Sequence, residues 1–394
     1  MASDSEIFFK SLAPTSPSPY LIEVDRGEGV YIFDVNGKKY VDLISGIGVS
    51  ALGHGNLEIN AAIKAQIDKH LHVMVWGEFV QTAVNKLATK LISHLPQNLN
   101  CVYLVNSGTE ANEGALKLGK RLTNRSEIVS FYKSYHGSTH GSLSVSGNEI
   151  KKQAFRPLLP GVRFLHFNVE EELEKITDQT ACVIMETVQG DAGVRIPDKD
   201  FMVALRRRCD ETGALLILDE IQAGMGRTGT LFAFEQFGIV PDILTLGKAL
   251  GGGMPIGAFV SSRERMEAFT RDPMLGHITT FGGNPVVAAA AHASLEVLTR
   301  GDLLASVEAK GRLFESLLKH DQIKEVRRIG LMFAIDFDSA ERVNRIVQNA
   351  KEMGVITYWF LSHPYSFRLA PPLTISEAEI RESCEIIVAA IDKS

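Results

Sequence analysis

Lys248 stands where the apolar run DILTL ends and a cluster of glycines begins. A lysine held at a strand end beside glycines has restricted motion and a partly dry setting, and such burial lowers the pKa of an amine. An amine of this kind can form a Schiff base with an aldehyde. An ordinary loop lysine has the same local sequence, so Lys248 indicates a covalent site only if suitable partners accompany it.

A second polar group, Asp219, Glu220 and Gln222, follows the apolar run ALLIL. Ligands of open α/β sheets bind outside the carboxyl ends of the strands. Asp219 is therefore placed to meet a ring nitrogen or a metal ion. The alternative is a structural acid that caps the next segment. A metal is the weaker ligand prediction, because no clear histidine or carboxylate partner pattern lies nearby.

Ser107, Gly108 and Thr109 lie between the apolar run CVYLV with Asn106 and the helical pattern EANEGALKLGKRL. Free backbone amides at a helix N-terminus, with two hydroxyls and a glycine that permits close approach, form a phosphate site. The alternative is that Ser107 or Thr109 only caps the helix. The spacing fits neither a Walker loop nor a GxGxxG fingerprint.

Together, these three groups are what a pyridoxal phosphate (PLP) site requires. A carboxylate on the pyridine nitrogen keeps that nitrogen protonated, so the ring accepts the electrons released when a substrate Cα–H bond breaks. The lysine holds the aldehyde and moves the proton. The sequence therefore predicts PLP as the cofactor, with no metal.

The elements that must position these groups follow an α/β rhythm. Short apolar runs predict strands at 101–105, 127–131, 181–185, 214–218, 242–246 and 257–260. The segments 110–122 and 199–212 have the apolar spacing of amphipathic helices. This alternation predicts an α/β fold with a mostly parallel sheet that is covered by helices on both faces.

The pattern changes after Pro285. Helices are predicted at about 285–299, 302–319, 339–353 and from about 376. The opening runs YLIEV, VYIFDV and KKYVDL predict a small antiparallel unit that joins the C-terminal part. We therefore expect an N-terminal segment 1–48 that belongs to the small domain, a large PLP-binding domain 49–295 and a C-terminal small domain 296–394.

The composition restricts the class of partner. The chain has 394 residues, 45% of them hydrophobic, and its 41 Lys and Arg against 47 Asp and Glu give a net charge of −6. This balance, without a long basic block, argues against nucleic acid and membrane and favours small molecules. The four cysteines lack CxxC spacing, and the N-terminus lacks a signal-peptide pattern. The cytoplasm is therefore the expected location.

Five motifs occur in a specific order, namely NSGTEANEGALKLGK, SYHGSTHG, LDEIQAGMGRTG, LGKALGGGMPIGA and TTFGGNP. With them the chain resembles the class III aminotransferases of fold type I, from about residue 20 to the C-terminus. Within that family it is most similar to the acetylornithine, ornithine and 4-aminobutyrate branch. The resemblance implies a large domain with a mostly parallel sheet flanked by helices, and a smaller α+β domain built from both termini.

The resemblance also implies how the cofactor is held. In chain order, the implied roles are Ser107, Gly108 and Thr109 at the phosphate, Tyr135 stacked on the ring, Asp219 at the ring nitrogen, Gln222 at the ring hydroxyl, Lys248 as the Schiff-base lysine and Thr280 at the phosphate of the neighbouring subunit. The last role implies a homodimer with shared active sites. Lys248 and Asp219 are the expected catalytic pair. From the local sequence alone, Tyr135 and His136 fit a packed aromatic pair equally well, and His136 has no assigned role.

Arg368, in FRLAPPLTI, matches the family's arginine for a substrate carboxylate. Its planar fork suits bidentate capture. Without the resemblance, it fits a surface ion pair. In relatives, a glutamate shortly after the EPxQG segment masks this arginine in one half-reaction and releases it in the other, and the matching residue here is Asp191. Glu186 and Thr279 complete the residues expected on the substrate side.

Ser138 stands where acetylornithine and ornithine relatives usually carry an arginine, so one carboxylate anchor is missing. Loss of such a partner in a dry site costs on the order of several kcal/mol. Asp191 is one methylene shorter than the usual glutamate, and Thr187 replaces the usual proline. These departures concern substrate choice and leave the cofactor chemistry unchanged.

The expected function is the ping-pong transfer of an ω-amino group from acetylornithine, succinylornithine or a similar amino acid to 2-oxoglutarate, which gives glutamate. The resemblance places this reaction in arginine biosynthesis. Alternatives are 4-aminobutyrate or ornithine as the donor, an intramolecular PLP aminomutase, and a non-enzymatic protein that binds a ligand in the same crevice. The aminomutase relatives usually lack the GRTG and TFGGNP patterns, which makes that alternative weaker.

Overall fold

A computed structural model describes residues 4–394 of the chain. The strands of this part are, in chain order, β1 (Val24–Glu28), β2 (Tyr31–Asp34), β3 (Lys39–Asp42), β4 (Cys101–Val105), β5 (Glu127–Phe131), β6 (Val162–Leu165), β7 (Thr180–Glu186), β8 (Leu215–Asp219), β9 (Ile243–Gly247), β10 (Gly257–Ser261), β11 (Glu325–Ile329), β12 (Met332–Asp336), β13 (Val355–Ile356), β14 (Tyr358–Trp359) and β15 (Ser366–Leu369).

The helical segments of the same part are, in chain order, α1 (Asp4–Ser11), the short left-handed turn α2 (Ser45–Gly48), α3 (Leu57–Ile67), α4 (Thr82–Ile92), α5 (Gly108–Thr123), α6 (His140–Val145), α7 (Glu149–Lys152), α8 (Lys199–Thr212), α9 (Arg263–Met266), α10 (Pro285–Leu298), α11 (Leu303–Leu317), α12 (Ala340–Glu352) and α13 (Glu377–Asp392). No helix in residues 4–394 is both long enough and apolar enough to cross a membrane.

A seven-stranded sheet forms the centre of the molecule, in the order β4-β10-β9-β8-β7-β5-β6. The pairs from β9 to β6 are parallel, whereas β10 runs antiparallel to both β9 and β4. Every residue of β7, β9 and β10 is buried, as expected for continuous apolar runs that are covered on both faces. The sheet is thus mostly parallel, as the alternating pattern predicted.

The register of three central strands places polar residues in one row. Glu186 on β7 pairs with Asp219 on β8, and Asp219 pairs with Thr245 on β9. Glu186 and Asp219 end their strands, and Lys248 comes directly after β9. Because the carboxyl ends of parallel strands meet at one edge, the sheet brings these side chains together.

Helix α5 begins directly after β4 and packs against β9 and β10. Ser107 caps it, since its hydroxyl accepts a hydrogen bond from the Glu110 amide at 3.3 Å. Gly114 permits the close packing, because a Cβ at this position would overlap the ring of Phe259 on β10. The small residues of the GTEANEGALKLG segment therefore let the helix lie close to the sheet.

Two smaller four-stranded sheets have the orders β1-β2-β3-β13 and β11-β12-β15-β14. In the first, the N-terminal antiparallel strands meet β13 through a parallel pairing between Val41 and Val355. In the second, β15 pairs antiparallel with β12 and β14 and carries Arg368. Residues that are distant in sequence thus reach the edge of the central sheet.

The first N-terminal strand lies later than the YLIEV run predicted. The strand begins at Val24, whereas Leu21 has a left-handed φ of 52° and Tyr20 packs on Tyr358 with ring centroids 6.0 Å apart. Packing of the tyrosine against β14 therefore outweighs the β propensity of the run. The division into segments 1–48, 49–295 and 296–394 stays a prediction, and α10 runs across residues 295 and 296.

Candidate active site

A cavity of about 540 Å³ opens at the carboxyl ends of β7, β8 and β9. Many of the predicted site residues line it, namely Gly108, Thr109, Tyr135, Ser138, Glu186, Asp191, Asp219, Gln222, Lys248 and Arg368. Three predicted residues do not line it, namely Ser107, Thr279 and Thr280. The fold therefore gathers the lysine, the acid and the arginine around one space.

Lys248 follows β9 and has a left-handed φ of 45°. Such a conformation is uncommon for a residue with a side chain, and it occurs where the surrounding structure imposes it. Burial lowers the pKa of the Lys248 amine, although the nearby carboxylates of Asp219 and Glu186 act in the opposite direction. The lowered pKa increases the fraction of neutral amine, which is the nucleophilic form.

Asp219 is only 4% exposed, and its carboxylate is fixed by three hydrogen bonds. Its Oδ1 accepts from the Ile221 amide at 3.0 Å. Its Oδ2 accepts from Asn112 Nδ2 at 2.8 Å and lies 2.8 Å from His136 Nδ1. Asn112 in turn accepts a hydrogen bond from Thr245 Oγ1 at 2.8 Å. A carboxylate held in this way presents its charge to the cavity in one orientation.

Asn112 and His136 contribute to the site, although the sequence assigned a role to neither of them. Asn112 lies on the second turn of α5 with its side chain toward the sheet, and sequence spacing alone does not separate it from other buried polar residues. His136 stands next to Tyr135 in the SYHG motif, so the motif itself held the signal. Its Nδ1 faces Asp219, and its Nε2 is buried without a hydrogen-bond partner in residues 4–394.

The N-terminus of α5 faces the cavity with Gly108 and Thr109. The first amides of a helix have no partner within the helix, so they are free to bind an anion. A Cβ on Gly108 would lie 2.7 Å from Ile221 Cδ1, so a larger residue at this wall of the cavity would have to displace the Ile221 side chain. Gly137 has a φ of 128°, and a Cβ there would overlap the Thr109 hydroxyl. The capping role weighed for Ser107 is present, and its role at a phosphate stays a prediction.

Tyr135 and Glu186 are joined at the cavity wall. The Tyr135 amide donates to Glu186 Oε2 at 3.0 Å, and the Gly190 amide donates to Glu186 Oε1 at 3.1 Å. Burial raises the pKa of Glu186 to about 8, and the charge of Asp219 adds to the rise. The Tyr135 hydroxyl lies 3.4 Å from Ser138 Oγ, so Ser138 presents a neutral hydroxyl at this wall. The buried acid thus ties the aromatic residue to the loop after β7.

Arg368 is buried and paired, in contrast to the surface ion pair considered from its local sequence. Its Nη2 donates to Asp191 Oδ1 at 2.8 Å, and its Nε donates to the Trp359 carbonyl at 3.1 Å. Its guanidinium carbon lies 4.3 Å from the ring centroid of Phe360. Burial lowers the pKa of Arg368, while Asp191 opposes this change. The cavity therefore contains a guanidinium that is masked by one carboxylate.

One rim of the cavity is a left-handed turn, α2, that the sequence did not predict. Ser45, Gly46, Ile47 and Gly48 have φ values of 50°, 60°, 64° and 81°. Asp42 holds its start, because Asp42 Oδ1 accepts from the Ser45 amide at 2.8 Å. Such a conformation is costly for a β-branched residue such as Ile47. The turn places Gly46 and Ile47 against the cavity.

Thr279 and Thr280 lie away from the cavity of their own chain. The Thr279 hydroxyl accepts from Asn106 Nδ2 and from the Gly282 amide, both at 3.1 Å. Thr280 is exposed. The substrate role of Thr279 and the role of Thr280 in a neighbouring subunit both stay predictions.

The central sheet, the smaller sheets and the strand-end lysine and acid on one cavity define a transaminase of fold type I. A family model described as "Aminotransferase class-III" matches residues 12–391, and the chain belongs to this family. It is a PLP-dependent aminotransferase, as the resemblance in its motifs predicted.

Named relatives cover nearly the whole chain. The chain is 38% identical over 376 residues to acetylornithine aminotransferase of Bacillus subtilis (strain 168), which covers 94% of this chain and 95% of that protein. It is 37% identical over 407 residues to succinylornithine transaminase of Yersinia pseudotuberculosis serotype O:1b (strain IP 31758), with coverage of 98% and 96%.

Solved structures share the fold. Ornithine aminotransferase of Toxoplasma gondii, described with partial occupancy of PLP at its active site, matches with a TM-score of 0.91 and 27% identity, and the match covers 99% of this chain and 93% of that one. An amine transaminase from an uncultivated Pseudomonas species, in a PLP-bound form, matches with a TM-score of 0.87 and 28% identity, with 97% of each chain covered.

Proposed function

We propose that this chain transfers the ω-amino group of an acylated ornithine, or of a similar amino acid, to 2-oxoglutarate. The observation that carries the proposal is the placement of Lys248, Asp219 and Arg368 around one cavity. A lysine and an acid at neighbouring strand ends suit PLP chemistry, and a buried arginine suits a substrate carboxylate. The acetylornithine and succinylornithine transaminases among the relatives support this class of donor.

The residues present fit PLP as the cofactor. The first amides of α5 at Gly108 and Thr109 suit its phosphate, and the fixed carboxylate of Asp219 suits its ring nitrogen. Gln222 lines the cavity, and a Cβ on Gly190 would overlap its amide oxygen, so the adjacent loop is shaped around this side chain. Tyr135, which is 42% exposed, offers a ring face for stacking. When bound, PLP supplies an aldehyde and an electron-accepting ring.

The chain's own residues divide the work between binding and proton transfer. Lys248 would hold the cofactor through its aldehyde, and its amine, whose pKa burial has lowered, would be a neutral base able to move a proton. Asp219 would keep the ring nitrogen protonated, and Asn112 and His136 keep the Asp219 carboxylate in place. Arg368 orients the carboxylate of 2-oxoglutarate after Asp191 moves away.

A second donor class has one specific observation in its favour. At residue 138, where a carboxylate-binding arginine is usual, a serine hydroxyl faces Tyr135 at 3.4 Å. A neutral hydroxyl does not compensate a buried carboxylate as a guanidinium does. 4-Aminobutyrate carries its carboxylate one carbon closer to the reacting amine than acetylornithine or ornithine does. Its carboxylate therefore meets a different part of the cavity and depends less on an anchor at residue 138.

We propose a homodimer with shared active sites. The segments 72–80 and 274–281 are adjacent, since the Trp76 amide donates to the Thr279 carbonyl at 3.1 Å. We call their exposed large side chains the apolar patch, which comprises Val73, Met74, Phe79, Val80, Met274, Leu275, Ile278 and Phe281. A patch of this kind marks a protein interface. Thr280 lies within this region, where it can reach a neighbouring site. The cytoplasm remains our proposed compartment.

The test is an absorbance spectrum of the purified protein with PLP, followed by titration with single amines in the absence of keto acid. We expect a visible band that Lys248→Ala abolishes, and loss of that band with acetylornithine or succinylornithine. Addition of 2-oxoglutarate should restore the band with release of glutamate.

Each outcome separates the candidates. Bleaching by 4-aminobutyrate alone would favour the second donor class. Turnover without any keto acid would favour an aminomutase. If no band depends on Lys248, the proposed chemistry is wrong.

A further inference from the structure

We infer that Ser362, supported by Asn148, is a specificity-determining latch that holds Asp191 over Arg368. The inference rests on the proposed function, because it concerns how 2-oxoglutarate reaches Arg368. If Asp191 had no partner except Arg368, a substrate carboxylate could readily replace it on the guanidinium. Here Asp191 accepts further hydrogen bonds, which stabilise the masked state, in which Asp191 is paired with Arg368.

Asp191 is bound from two sides. On one side its Oδ1 accepts from Arg368 Nη2 at 2.8 Å. On the other side, the Leu361 amide donates to Oδ1 at 3.1 Å, and Ser362 Oγ donates to Oδ2 at 3.0 Å. Asp191 is 7% exposed, so water does not readily replace these donors. Arg368 therefore becomes free to bind a substrate only if Asp191 breaks its hydrogen bonds with Leu361 and Ser362, or if these two residues move together with Asp191.

Asn148 fixes the direction of the serine hydroxyl. Its Nδ2 donates to Ser362 Oγ at 2.8 Å. An amide nitrogen only donates, so the single hydroxyl proton of Ser362 is left to point at Asp191 Oδ2. Asn148 precedes α7, Ser362 lies between β14 and β15, and Asp191 follows β7. The latch thus joins three segments that are distant in sequence.

The shorter side chain of Asp191 gives the latch its importance. An aspartate has one methylene fewer than a glutamate, so it has fewer positions in which to turn away from Arg368 while it keeps a partner. In the masked state, Asp191 neutralises the charge of Arg368. The amine-bearing end of the donor, which carries no carboxylate, is then not opposed by an unpaired positive charge. In the unmasked state, Arg368 is available to the carboxylate of 2-oxoglutarate. The strength of the latch therefore sets the balance between the two half-reactions.

The experiment compares the two half-reactions in Ser362→Ala holoenzyme. Without the hydroxyl, the masked state loses one hydrogen bond, so the KM for 2-oxoglutarate should fall roughly two- to tenfold. The KM for the amino donor should stay unchanged or rise. A general loss of structure would raise both KM values, so a lower KM for 2-oxoglutarate without a lower KM for the donor identifies the latch. Ser362→Thr, which keeps the hydroxyl, should restore wild-type values, and Asn148→Ala should give a weaker effect of the same sign.

Ser316→Ala is the matched control, because Ser316 is exposed on α11 and, within residues 4–394, its hydroxyl bonds only the Leu313 carbonyl. It should change neither KM. Unchanged KM values in Ser362→Ala, or values that move in the same direction, would overturn the latch while leaving the proposed function intact. A wild-type enzyme that ignores 2-oxoglutarate would instead refute the proposed function.

Discussion

The protonation of the buried Glu186 side chain depends on the burial and the charges of the whole site. Glu186 lies beside Asp219 in the sheet register, and it accepts hydrogen bonds from the amides of Tyr135 and Gly190. Burial and the neighbouring charge of Asp219 both favour the protonated form of Glu186.

This position predicts a pH dependence of stability. Burial raises the pKa of Glu186 to about 8 from an ordinary value near 4.5. A raised pKa means that the folded state binds the proton more tightly, so the contribution to stability is complete below about pH 4.5 and is lost as the pH rises through about 8. In Glu186→Gln, the free energy of unfolding should fall less steeply over this interval, by roughly 1 to 3 kcal/mol in total.

Denaturant unfolding of the holoenzyme at a series of pH values measures this slope. Glu170→Gln, a charge-matched change at an exposed position, should leave the slope as in the wild type. An identical slope in Glu186→Gln would mean that Glu186 is already ionised in the folded protein.

At the scale of elements, α5 connects packing to the site. Its N-terminus faces the cavity, and Gly114 lets it lie against Phe259 of β10. Gly114→Ala would improve helix propensity by about 1 kcal/mol but would force the ring of Phe259 to move. We expect a net loss of stability of about 1 to 2 kcal/mol and weaker PLP retention, because a displaced helix carries its free amides with it.

Thermal unfolding and PLP retention during dialysis test this prediction. Leu122→Ala, which changes an exposed residue near the end of the same helix, serves as the control. A stabilised Gly114→Ala protein with normal PLP retention would show that the helix has room for the added methyl group.

Elements with strong apolar periodicity were predictable from sequence. The strands at 101–105 and 127–131 and the helix at 199–212 agree with the structure residue by residue. Each is an apolar or amphipathic run with clear polar or glycine boundaries. The left-handed turn at Ser45–Gly48 was not predictable, because Ser45 and Ile47 have no preference for that conformation and Asp42 imposes it.

The site residues that lie within a recognisable sequence motif were predictable. The contacts between residues that are distant in sequence were not. The strand-end position of Lys248 and Asp219 follows from local sequence and is present in the structure. The bond between His136 and Asp219 joins residues 83 positions apart, and no local pattern encodes it. The same holds for Ser362 and Asp191, whose contact depends on how β14 and β15 sit against the loop after β7.

At the scale of the whole molecule, the apolar patch predicts assembly. Phe281 is 58% exposed and lies next to Thr280. Phe281→Asp should convert the proposed dimer into a monomer, because a buried unpaired charge is costly. It should also weaken PLP retention at least several-fold, because the contribution proposed for Thr280 of the neighbouring subunit would be lost. Size-exclusion chromatography with light scattering, together with PLP quantification, checks both effects.

Ile150→Asp is the matched control for this change. Ile150 is 79% exposed but lies on α7, outside the apolar patch. It should leave both mass and PLP content unchanged. A monomeric wild-type protein, or a Phe281→Asp protein that remains dimeric, would contradict the proposed interface.

The row of Glu186, Asp219 and Thr245 makes the activity of each molecule depend on the register of its central strands. Alternate residues of a strand face opposite sides of a sheet, so a slip of β8 by one residue would turn Asp219 away from Lys248. A chain with that error could remain compact while losing its chemistry altogether. Specific activity per bound PLP would then measure the fraction of chains whose central sheet has the correct register. A preparation that contains misregistered chains would have fewer active molecules, each with the normal turnover rate.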